Sequence, residues 1–187
     1  MDIPRINKPE LFDKVIQQLQ DALKSNVAWL DYAFGRAQRI TKRIENRQYL
    51  FPACYSKNND YVDVSPDSNL GCFSFVQMGE PQELDWIPNE YGFVESPFSL
   101  IVWFDLRKIF PNGHTERNTE AVKAEILAVL KRKVRLKEGR ISFNRIWEKV
   151  ENIYKEYPAI KELDAQCLMH PFGGLRFDGI IKIQESC

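Results

Sequence analysis

The sequence predicts an α+β fold: a mostly antiparallel sheet of four to five strands with helices packed on one face. Three observations point there. Apolar residues recur at helical spacing near both ends of the chain, two apolar runs at 98–106 and 175–183 read as strands, and helices do not alternate regularly with strands. The 187 residues read as one domain, 1–187, with a long acidic loop excursion near 79–96.

The first element is a helix. Asn7 can cap it, Pro9 sits in its first turn, and Glu10 stands three residues after the cap. Leu11, Val15, Leu19 and Leu23 then make an apolar stripe, with Phe12 and Ile16 beside it. Residues 27–49 continue with Val27, Trp29, Leu30, Tyr32 and Phe34, and their second part, GRAQRITKRIENR, is amphipathic and strongly basic, with Arg36, Arg39, Lys42, Arg43 and Arg47 set against Glu45 alone. Leu50–Tyr55 is a short strand whose Pro52 suggests an edge or a bulge. Tyr61–Val64 and Leu70–Met78 are further strands, separated by the turn residues Ser65–Asn69. Residues 79–96 show no period and read as a loop anchored by Trp86, Tyr91 and Phe93.

Phe98–Leu106 is apolar on both faces and reads as a central, covered strand. Phe110–His114 turns the chain, and Asn118 or Thr119 caps a helix carrying Val122, Ile126, Val129 and Leu130. Ser142 is positioned to cap another helix, with Ile146, Val150, Ile153, Tyr154 and Tyr157 as its stripe and Pro158 as its stop. Gly173-Gly174 reads as a turn. In the last strand Leu175, Phe177, Ile181 and Ile183 face inward, and Arg176, Asp178 and Lys182 face out.

Candidate chemistry is sparse. The four cysteines, at 54, 72, 167 and 187, are expected to be reduced thiols. Cys167 and His170 form a lone C-x-x-H, and a zinc site needs a second such pair. No phosphate-binding, dinucleotide-binding or hydrolase motif is present, so no catalytic residue, metal or cofactor is assigned. An enzymatic reading would need a deep pocket on which Cys167 and His170 converge.

The informative feature is where the charges lie. The 26 bases and 26 acids cancel overall. Yet residues 58–106 hold nine acids and no Lys or Arg. The flanks, 1–57 and 107–187, carry net charges of +4 and +5. A balanced chain argues against coating nucleic acid along its length. The segregation can be satisfied within one fold, or between subunits that meet head to tail. No apolar run approaches the roughly 20 residues needed to cross a bilayer. The N-terminus also lacks the plan of a signal peptide. A cytoplasmic location is expected.

The segment FSLIVWFDLRKIF leading into TEAVKAEILAVLKRK, with the closing strand GLRFDGIIKI, resembles the phage tail terminator and minor tail proteins in layout. PFSLIVWFDLRKIF with LMHPFGGLRFDG is also similar to prophage proteins. The resemblance implies a non-enzymatic homo-oligomer, a ring that in this class is often a hexamer. It would cap a tail tube, face head-connector proteins, and reside in host cytoplasm during assembly and in the virion afterwards. On this reading the subunit interface sets Arg36, Arg39, Lys42, Arg43 and Arg47 against a neighbour's Glu80, Glu83, Asp85, Glu90 and Glu95. The alternative is a nucleic-acid-binding module using the basic segments 36–47 and 131–145, with Tyr32, Phe34, Tyr49 and Phe143 for stacking.

Overall fold

The computed structural model describes residues 5–56, 60–85, 92–113, 115, 118–163 and 165–185. The fold is α+β with a mostly antiparallel sheet, as the sequence predicts, but the sheet has eight strands rather than four or five. Helix α1 (Phe12–Asn26) begins later than Asn7 and Pro9 suggest. Lys8 and Leu11 adopt positive φ, which a right-handed helix excludes, and Leu11 is therefore exposed. From Phe12 onward the apolar stripe holds: Val15, Ile16, Leu19 and Leu23 are buried.

The basic segment after α1 forms a hairpin. Strands β1 (Tyr32–Ile44) and β2 (Arg47–Tyr55) are antiparallel and joined by Glu45-Asn46. Both turn residues have positive φ, as a tight two-residue hairpin turn demands. Strand β3 (Tyr61–Asp63) pairs with β2, and β4 (Phe73–Met78) runs parallel to the first part of β1. The Ser65–Asn69 turn is present, with the Asp67 carboxylate accepting the Asn69 N–H at 2.8 Å.

The expected loop at 79–96 contains β5 (Glu83–Asp85) and the start of β6 (Gly92–Asp105), which pair antiparallel. Trp86 and Tyr91 lie outside the described residues, as do His114 and Cys187. Strand β6 is central, as its apolar run predicts, with β4 and β5 along one side and β8 along the other. A helical turn, α2 (Leu106–Ile109), follows it, and then α3 (Asn118–Arg132), which buries Val122, Ile126 and Val129.

The helix expected at 142–157 is replaced by strand β7 (Arg140–Trp147) and the single turn α4 (Val150–Ile153). Pro158 opens α5 (Pro158–Leu163) instead of ending a helix. Gly173 and Gly174 lie within β8 (Phe172–Glu185), opposite Phe104 and Trp103, and make no turn. The strand order is β3-β2-β1-β4-β6-β8-β7, with β5 beside β6.

Helices cover both faces of this sheet, not one. Alternate residues of β6 separate into two cores. Phe98, Leu100, Val102 and Phe104 pack with α1 and α3. Ile101 and Trp103 pack with Phe73, Phe75, Ile153, Tyr157 and Ile160 from the other side. Burial of each such side chain contributes about 1.5–3 kcal/mol. Leu175, Phe177, Ile181 and Ile183 are buried in the first core, as the alternation predicts. Arg176 points the other way and is nevertheless only 3% exposed.

Candidate functional site

The charged residues singled out by the sequence do not share one surface. Arg36 pairs with Val76 in register and lines a cleft beneath α1 with Asp13 and Gln20. Burial raises the Asp13 carboxyl above the usual range, and the Arg36 charge lowers it in part. Arg39 lies on the opposite face, in a groove of about 570 Å3 shared with Gln77, Glu80, Arg145 and Glu156. Lys42 forms an ion pair with Asp63 and lies 4.9 Å from the Phe51 ring centroid. Arg43 and Arg47 are exposed beside the hairpin turn.

The acids are similarly divided. Glu95 forms an ion pair with Lys182 at 2.8 Å within the same chain. Asp105 binds Arg107, also at 2.8 Å. Glu90 lies outside the described residues. Glu80, Glu83 and Asp85 are exposed, and none of them makes an ion pair among the described residues. Part of the charge segregation is thus neutralised internally, and the segment from Glu80 to Asp85 is left as an acidic rim.

The groove beside Arg39 is floored by a polar network that the sequence reading missed. The Arg176 guanidinium donates from Nε to Asp178 at 2.7 Å and from both terminal nitrogens to Glu156 at 2.5 and 2.7 Å. It also donates to Ser99 at 2.7 Å and to the Ile153 carbonyl at 3.5 Å, so all five N–H groups are used. Asp178 accepts further bonds from Ser99 and Trp147, both at 2.6 Å. Burial alone would raise its carboxyl, but these donors and the Arg176 charge hold it below the usual range. Beside the network the Tyr157 hydroxyl donates to Gln77 at 2.5 Å and is pushed up to about 12, chiefly by burial. All five Arg176 donors are used, so the network fastens the α4–α5 segment to the sheet.

Other candidates fare differently. His170 lines a hollow of about 270 Å3 with Glu120, Glu148 and Phe172, and Cys167 is not part of that wall. Among the described residues no cluster of three or more His, Cys, Asp or Glu could hold a metal. No helix of the described residues is long and apolar enough to cross a membrane. The aromatics considered for base stacking are packed internally. Tyr32 stacks on the buried Phe34 at 5.3 Å, and Phe143 packs on Phe98 and Phe177.

Exposed charge also lies on strands that are paired along one side. Among the described residues, strand β5 pairs with β6 alone, β7 pairs with β8 alone, and the outer part of β1 pairs with β2 alone. Strand β7 is legible as basic within 131–145, but its strand character is hidden by residues at helical spacing. No protein-family model matches this chain, and no curated protein matches it in sequence.

Proposed function

We propose that this chain is a non-enzymatic assembly subunit, a phage or prophage tail component of the terminator type that associates with copies of itself as a ring on a tail tube. The observation that carries the reading is the uncompensated charge on open strands. Glu83 and Asp85 are exposed on β5 and make no ion pair among the described residues, while Glu80 lines the groove that also holds Arg39 and Arg145. Arg43 and Arg47 stand exposed on a hairpin, and Arg140 and Arg145 on an edge strand. Charges of opposite sign on separate edges suit head-to-tail contacts, which are heterologous and close or propagate. The family resemblance of the segments at 98–110, 119–133 and 174–183 supports the same reading.

Nucleic-acid binding has less behind it. The hairpin and β7 are separated in the sheet by β4, β6 and β8, so the two basic segments do not form one continuous track for a phosphate backbone. Sedimentation velocity over a range of concentrations, at about 50 mM and about 500 mM salt, tests the proposal. Species larger than the 21.9 kDa monomer are expected at low salt and dissociate at high salt. A monomer under every condition overturns it.

A further inference from the structure

Where β6 begins, four residues on adjacent strands fall in one transverse row. Glu83 on β5 is paired with Glu95 on β6, Glu95 with Lys182 on β8, and Lys182 with Arg140 on β7. Directly paired residues share a face of the sheet. The row therefore reads acid, acid, base, base from one open edge to the other. The inner two neutralise each other, and the Lys182 ammonium also sits 3.1 Å from the Phe93 ring centroid. The outer two, Glu83 and Arg140, are exposed and make no ion pair among the described residues. Asp85 repeats the sign on the acidic side and Arg145 on the basic side, where Glu138 is paired with Lys14 at 3.0 Å.

An edge strand presents unpaired N–H and C=O groups, a template for another strand unless charge or shape prevents it. Here the charges set the choice of partner: each edge repels its own kind and attracts the other. We infer that β5 of one copy of this chain pairs with β7 of the next. The occupant of each edge is a second copy, and Arg140 meets a neighbour's Glu83. Strand directions allow it. The β5–β6, β6–β8 and β8–β7 pairs are all antiparallel, so β7 runs opposite to β5. A neighbour kept in the same sense then lays its β5 antiparallel to β7. On the α1 face this register sets Leu84, 66% exposed, opposite Gly139 and diagonal to Ile141. Strand β5 has three residues, so one contact is weak, and closure of several into a ring supplies the persistence.

This inference rests on the assembly reading and names the surfaces it uses. The test employs the full chain in two charge-reversed forms, Glu83→Lys with Asp85→Lys, and Arg140→Glu with Arg145→Glu. All four side chains are exposed, and circular dichroism checks that each variant is folded. At low salt, each variant alone should associate on the order of tenfold or more weakly than the wild type, because its edges now repel. An equimolar mixture should recover association, since the reversed β5 of one complements the reversed β7 of the other. If the wild type associates and both variants do so equally well, the β5–β7 contact is overturned while the assembly reading stands. If the wild type never associates, both fall.

Discussion

Arg176 offers a sharp test of how the second core is held. Replacing it with Met preserves most of its volume and removes all five donors. The carboxylates of Glu156 and Asp178, whose side chains are 22% and 17% exposed, then lose their main partner. Breaking a buried pair by deleting one member costs about 3–5 kcal/mol. The partial exposure of both acids places the expected loss near the lower end, about 3 kcal/mol. Domains of this kind are stable by about 5–15 kcal/mol, so the change is large. Equilibrium urea unfolding should show a lower midpoint with an unchanged slope. Arg176→Lys should lose less, because it keeps the charge but not the planar fork that engages Glu156 through two bonds. A loss below about 1 kcal/mol for Arg176→Met, the range of exposed pairs, would refute the claim that this network anchors α4–α5.

Further expectations follow from the same geometry. Asp178 is held below its usual range, so the unfolded chain takes up a proton first as pH falls; stability is complete above that range and drains as pH drops through the native value. Asp178→Asn should be less stable near neutrality and vary less between about pH 5 and pH 2, as followed by urea midpoints at each pH. Gly179 pairs with Phe143, and a Cβ there would meet the Ser142 carbonyl oxygen at 2.1 Å. Gly179→Ala should cost about 1–3 kcal/mol and speed hydrogen exchange selectively in β7. Cys54 and Cys72 are buried, and burial pushes both thiols up, so a disulfide-exchange reagent should modify them only when the protein unfolds. Rapid labelling of either in native buffer would contradict the packing. Glu45→Gly should stabilise the hairpin turn by less than about 1 kcal/mol, since relief of the left-handed backbone is partly offset by added chain entropy; thermal melting reads it.

The elements that the sequence reveals are those whose pattern has one meaning. Strand β6 is apolar on both faces because two cores meet on it, and α1 and α3 carry clean stripes. The hairpin is hidden because Gln, Arg and Thr fill the exposed positions of β1, where they mimic a helix face, and its turn is Glu-Asn rather than a glycine pair. Strand β7 is hidden by a register shift between Phe143 and Arg145, which breaks the alternation and leaves Ile146, Val150 and Ile153 at helical spacing. That same error concealed the second helical layer. An arginine in an alternating strand reads as solvent-facing, and only the fold shows that Glu156, seen in sequence as an ordinary surface acid, reaches back to neutralise Arg176. The acidic and basic blocks were visible as blocks. Which of their members are spent on internal partners, such as Lys42 with Asp63 and Glu95 with Lys182, depends on strand register and was not.

Self-association by complementary sheet edges is the central claim, and native mass spectrometry at low ionic strength tests it most directly. The account predicts one discrete multiple of 21.9 kDa that saturates with concentration, as a closed ring does. A mass of 21.9 kDa at every concentration would contradict it.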